Sequence, residues 1–243
     1  MKRSHLVIGL VVLVLIIDQL VKIYVKTNLS YGTGFDILGL SWAKIHFVEN
    51  KGMAFGITFG NRCIGVTQED GSCSGISVTP STGKLLLSVF RLLMIGFLIY
   101  FIRELVKIKE SKGLLVCLAL ILAGAIGNII DSAFYGMIFS DSYYHGDLAQ
   151  LFPEGGGYAP FLFGKVVDMF YFPMIDTVLP EWIPIVGGNR FEFFRPVFNV
   201  ADASISIGVA SILLFHRGFL RNGKTKEKTS VVGTATPAEE QEE

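Results

Sequence analysis

The sequence has little charge, few cysteines and few histidines. Lys, Arg, Asp and Glu make up only 17% of its 243 residues, whereas a soluble domain carries about 25%. The 21 basic residues balance the 21 acidic ones, so charge points to no nucleic acid and to no acidic partner. Four scattered histidines without a His-Glu-x-x-His string argue against a zinc site, and no other metal or cofactor is expected. Dinucleotide and P-loop fingerprints are absent. Gly71-Ser72-Cys73-Ser74-Gly75 looks like a nucleophile elbow only superficially, because it lies in a loop without a strand-to-helix setting. Of the three cysteines, Cys117 sits in an apolar run and reads as a small buried hydrophobe. Cys63 and Cys73 lie in a polar Gly/Ser-rich stretch and could form a disulfide on an oxidising side of a membrane.

Apolar residues are abundant: 51% of the chain is hydrophobic and 20 residues are Phe. Four runs, at 6–25, 85–102, 114–130 and 197–215, each approach the roughly 20 residues that cross a hydrocarbon core of about 30 Å. The first begins after Met1-Lys2-Arg3 like a signal peptide. No small-x-small cleavage site follows it, so it is expected to stay as a span. Lys and Arg concentrate at the N-terminal tip, in the link holding Arg103, Lys107, Lys109 and Lys112, and in the tail. Both termini should therefore face the cytoplasm, and the long loops at 27–84 and 133–195 the outside. Alternation at 42–48 and 55–59 predicts strands in the first outer loop. One membrane domain is expected over 1–222, and a disordered polar tail over 223–243.

Ionisable residues inside a span are costly, roughly 2.5–3.5 kcal/mol each at a helix centre, and need a reason to persist. On this topology Asp18 and Lys22, Arg91, Asn128 and Asp131, and Asn199 and Asp202 all fall at the outer ends of their helices. Asp18 and Lys22 are spaced i,i+4 with the acid first, which favours a pair. Gly124 and Gly127 share the side of Asn128 and would allow close helix contact. With Pro196 in the first helical turn, Asp202 would lie about 9 Å along the axis at 1.5 Å per residue. Arg91 could simply snorkel to the outer headgroups.

Five blocks, in order, carry a resemblance. They are Asp18-Gln19-Leu20-Val21-Lys22, Glu49-Asn50-Lys51-Gly52-Met53-Ala54-Phe55-Gly56, Gly124-Ala125-Ile126-Gly127-Asn128-Ile129-Ile130-Asp131, Val166-Val167-Asp168-Met169-Phe170 and Phe198-Asn199-Val200-Ala201-Asp202. Together they resemble the lipoprotein signal peptidases (signal peptidase II). The resemblance implies an all-α membrane protein of the bacterial inner membrane. It would have four transmembrane helices, a small extracytoplasmic β-sheet cradle and a periplasmic helix or loop. It implies that Asp168 and Asp202 are the catalytic aspartates of an endopeptidase. Asp18, Lys22, Asn50, Gly52, Asn128, Asp131, Asn199 and Ala201 would line the site. The implied substrate is a diacylglyceryl-modified prolipoprotein, cut just before its lipidated cysteine with membrane lipid around it. Sensitivity to the family's cyclic-peptide inhibitors is implied too.

Three features depart from that pattern. Ser132 stands where the family usually has Arg, with Arg190 or Arg195 as candidate substitutes, and 61–80 and 139–163 look like insertions. Outside the family, buried acids could mark a transporter or proton-conducting protein. The apolar inner halves of the helices leave such a protein no path. A presenilin-like protease would need a Gly-x-Gly-Asp signature, which is absent, and a non-catalytic assembly subunit remains as a further reading.

Overall fold

The computed structural model describes residues 2–50, 62–67, 73–78, 80–178, 180–182, 188–193 and 195–219. In chain order these form α1 (Arg3–Asn28), β1 (Gly34–Asp36), a 3-10 turn (Ile37–Gly39), β2 (Lys44–Asn50), β3 (Arg62–Thr67), β4 (Cys73–Val78), α2 (Pro80–Lys107) and α3 (Lys112–Ile130). The last of these runs on through a π-helical turn (Asp131–Tyr135) into a single turn, α4 (Gly136–Ile138). Then come β5 (Val166–Tyr171), β6 (Ile175–Val178), β7 (Arg190–Phe193), β8 (Val197–Phe198) and α5 (Val200–Phe215). Among the described residues, three stretches, Arg3–Asn28, Gly83–Lys107 and Lys112–Ile138, are long and apolar enough to cross a membrane.

The helices turn apolar side chains both ways, as a lipid-facing bundle must. Leu20 is 64% and Leu93 68% exposed, while Val7, Val11 and Val14 of α1 and Ile95, Ile102 and Leu105 of α2 are buried against Leu115, Leu118 and Leu122 of α3. Glycines let α5 approach α3 closely. A Cβ on Gly124 would lie 2.2 Å from the Ala201 carbonyl oxygen, and one on Gly208 would lie 2.6 Å from that of Cys117. Cys117 is buried and free, as expected.

An antiparallel sheet of order β1-β2-β5-β8 joins the first loop to the second. The expected strand at 42–48 is found as β2; that at 55–59 lies outside the described residues, as does the tail. Two expectations need correction. Val197 and Phe198 belong to β8, so the last helix starts at Val200 and Pro196 is not in its first turn. In the β3–β4 hairpin, Cys63 faces Ser77 and Cys73 faces Thr67. That register separates the two cysteines by four strand positions, about 13 Å at 3.3 Å per residue. The distance is more than a disulfide spans, so the register does not support the bridge that the sequence left possible.

Gly124→Ala is expected to push α5 off α3, at a cost of about 1–3 kcal/mol for overpacking. Gly96→Ala, where an added Cβ meets nothing within 4 Å, should be neutral. Thermal unfolding of both variants in detergent checks this.

Candidate active site

The site is organised by one buried ammonium. Lys22 Nζ reaches Asp18 Oδ2 at 2.9 Å, Asp131 Oδ2 at 2.8 Å and Asn128 Oδ1 at 3.1 Å, and the side chain is fully buried. Its three protons thus meet three oxygens, which is the condition under which a buried charge is tolerated. Gln19 fills in around it, donating to Asp131 Oδ1 at 2.9 Å and to Asp18 Oδ2 at 3.1 Å. Its Oε1 accepts from the Tyr135 hydroxyl at 3.2 Å.

The two acids held by Lys22 each reach on to another element. Asp18 Oδ1 accepts the Ala201 N–H at 2.8 Å, one of the donors that the first turn of α5 leaves unpaired. Asp131 Oδ2 accepts the Val167 N–H at 3.3 Å, next to Asp168 on β5. Gly127 makes room for Asp18: a Cβ there would lie 2.7 Å from Asp18 Oδ2. One ion cluster therefore fixes both the N-terminus of α5 and the middle of β5.

Asp168 and Asp202 are linked across that junction through Asn199. Asn199 is the N-cap of α5: its side chain accepts the Asp202 N–H at 2.9 Å, and Asp202 Oδ2 accepts the Asn199 N–H at 3.4 Å, a reciprocal capping box. The Asn199 amide donates to Asp168 Oδ1 at 2.7 Å, to the Val167 carbonyl at 3.2 Å and to Asn128 Oδ1 at 3.1 Å. The Asn128 amide donates to Asp202 Oδ1 at 2.8 Å. These bonds fix which end of each amide is nitrogen. One residue, Asn199, thus touches both carboxyl groups. Asp202 lies in the first turn of α5 rather than about 9 Å down its axis, as the sequence suggested. Asp168 is buried, while Asp202 is partly open. Burial and then the Asp202 charge push the Asp168 carboxyl up to about 7, against an opposing pull from Lys22 and hydrogen bonds from Asn50 and Asn199.

Of the residues singled out from the sequence, Asp18, Lys22, Asn50, Asn128, Asp131, Asp168, Asn199, Ala201 and Asp202 converge here. Gly52 lies outside the described residues. Sequence reasoning missed Gln19, Tyr135 and a second buried cluster. In that cluster Lys26 pairs with Glu49 and donates to Ser142 Oγ at 3.0 Å, while Lys165 pairs with Glu49 at 3.0 Å and with Asp141. Lys26 also lies 5.3 Å from the ring centre of Tyr158 and 5.4 Å from that of Phe139. The signal was present: Asp18, Lys22 and Lys26 repeat at i,i+4 on one helix face, and Glu49 precedes Asn50. Among the described residues no cluster of His, Cys, Asp and Glu could hold a metal.

Known proteins align with nearly the whole chain. A family model described as signal peptidase (SPase) II matches residues 10–217. The lipoprotein signal peptidase of Porphyromonas gingivalis is 46% identical over 241 residues, 98% of this chain and 94% of that protein. The lipoprotein signal peptidase of Amoebophilus asiaticus is 34% identical over 227 residues, 92% and 83% of the two chains. In fold, a solved bacterial membrane enzyme superposes with a TM-score of 0.52 at 22% identity, covering 90% of each chain.

Lys22→Met should leave Asp18 and Asp131 buried without their cation, a loss of about 3–5 kcal/mol that thermal unfolding in detergent would register. The Asp168 carboxyl rises from 3.8 to about 7 on folding, so the stability it contributes is complete in acid and fades as pH rises through that window. Asp168→Asn is therefore expected to raise the thermal midpoint at pH 8 and to leave it nearly unchanged near pH 4.

Proposed function

The chain belongs to the signal peptidase II family, and on that premise we propose that Asp168 and Asp202 are the carboxyl pair with which it cuts lipidated prolipoproteins. The observation that carries this reading is the shared Asn199, which binds both acids at the junction of β5 and α5. Two neighbouring carboxyls cannot both ionise easily, so the pair retains one proton near neutrality. Asp168, buried and raised to about 7, holds that proton. Asp202, partly open and at the positive end of a helix dipole, takes the role of the base. The pair still titrates as a unit.

Catalysis then follows with balanced protons. Asp202 takes a proton from a water whose oxygen attacks the scissile carbonyl, while Asp168 gives its proton to the carbonyl oxygen. As the tetrahedral adduct collapses, the C–N bond breaks. The proton on Asp202 passes to the leaving amine, and a hydroxyl proton of the adduct returns to Asp168. Asn199 and Asn128 hold the two carboxyls in register throughout. The substrate is a diacylglyceryl-modified prolipoprotein, and the bond cut is the one before its lipidated cysteine.

In the membrane, α5 serves as the fourth span, with both termini cytoplasmic and the acids at the outer lip. Its 16 residues make about 24 Å of helix at 1.5 Å per residue, shorter than a hydrocarbon core of about 30 Å. The N-terminus of α5 would then lie just below the outer boundary. A peptide could meet the acids there while its acyl chains stayed in lipid. A transporter reading finds no support in the inner half of the bundle, where the core is Val7, Val11, Ile102, Leu105, Leu115 and Leu118.

Purified protein is expected to cleave a diacylated peptide and to spare its unlipidated twin. Asp168→Asn and Asp202→Asn should each lower kcat by about 10³-fold or more, within the range expected for loss of a group acting in the transition state. Wild-type cleavage by either variant would rule the pair out. The rate should fall as pH rises past about 7, when Asp168 loses the shared proton.

A further inference from the structure

Arg91 is the cation near the dyad that the mechanism above leaves unused. On α2, Lys84, Ser88, Arg91 and Ile95 fall on one face at helical spacing. Neighbours along that face fix its direction. Lys84 Nζ donates to the Phe163 carbonyl at 2.6 Å, Ser88 Oγ donates to the Leu162 carbonyl at 3.3 Å, and Ile95 is buried in the core shared with α3. Arg91 lies between Ser88 and Ile95, so it faces the bundle and does not snorkel outward. The charges acting on it are, in order, Asp202, Asp131 and Asp168. Among the described residues it nevertheless forms no hydrogen bond or ion pair.

A half-buried guanidinium with five donors and no acceptor is costly in a membrane bundle. It is near enough to the dyad to feel its charge and is not bonded to it. Asp131 already has its ion-pair partner in Lys22, at 2.8 Å. Ser132, which stands where the resemblance led us to expect an arginine, turns its hydroxyl back to the Asn128 carbonyl at 3.1 Å and brings no charge. Arg190 and Arg195, the substitutes suggested by the sequence, each already engage another group.

We propose that Arg91 donates to the carbonyl oxygen of the scissile peptide bond beside the Asp168–Asp202 pair and stabilises the part of the negative charge that builds there, as water adds, ahead of the Asp168 proton. This rests on the assignment of that pair as the peptidase site. A fixed donor aimed at a developing oxyanion contributes to kcat more than to KM, and the charge is supplied from α2 rather than from the α3 block.

The test uses the full chain in lipid or detergent with the diacylated peptide, comparing the unsubstituted protein with Arg91→Gln and Arg91→Lys. Arg91→Gln should lower kcat by about 10²-fold, leave KM within a few-fold and leave the thermal midpoint unchanged or raised. Arg91→Lys keeps the charge without the fork and should recover part of the loss. The proposal is overturned if Arg91→Gln keeps kcat within about threefold of the unsubstituted protein. A fall in thermal midpoint that parallels lost activity in both variants overturns it as well, since that marks a structural role. If the unsubstituted protein itself spares the lipidated peptide, the dyad reading fails and Arg91 falls with it; a defect confined to the Arg91 variants does not have that meaning.

Discussion

Everything around Asp168 and Asp202 depends on where Lys22 puts its three protons. One fully buried ammonium ties α1 to α3 through Asp18, Asp131 and Asn128. Those same acids accept the N–H groups of Ala201 and Val167, so the ion cluster also sets the start of α5 and the register of β5. A charge buried this deeply is stabilised only when every hydrogen-bonding position is filled. The arrangement is therefore stiff, and stiffness is what two weak acids need if they are to share a proton across elements more than thirty residues apart in the chain. The close approach of α3 to α5 at Gly124 and Gly127 serves the same end.

A second cluster, with as many acids as bases, lies next to the first. Lys26, one turn beyond Lys22, and Lys165, three residues before Asp168, share Glu49, and Asp141 completes two pairs of opposite charge. Ser142 and the rings of Phe139 and Tyr158 belong to the stretch that read as an insertion. Its place is thus structural in a definite sense: it packs over the end of α1 and anchors the segment that leads into β5. The β2–β5 pairing, with Val48 opposite Asp168, ties the same segment to the first loop.

Much of the site was legible because membrane energetics leaves few innocent charges. Asp18 with Lys22, Asn128 with Asp131, and Asn199 with Asp202 are each a helical turn apart in apolar runs, and their level could be read from the positive-inside bias. What escaped was set by tertiary contact. Val197 and Phe198 look like the start of a helix, but Tyr171 and Phe170 recruit them into the sheet and Asn199 becomes a cap. Arg91 looks like a snorkelling residue until the bonds of Lys84 and Ser88 show which way its face turns. Cys63 and Cys73 are ten positions apart, a spacing that gives no strand register, and the register sets them apart.

The central claim is that Asp168 and Asp202 are close enough for the charge of one to govern the proton of the other. Infrared difference spectra of the carboxyl C=O band, recorded across pH, read that coupling directly. A protonated carboxyl band absent from Asp168→Asn should vanish with a midpoint at about 7 in the unsubstituted protein. In Asp202→Asn the midpoint should move to lower pH, because a charge that raises it has been removed. A midpoint that stays where it was when Asp202 is neutralised would mean that the two acids do not work as a pair.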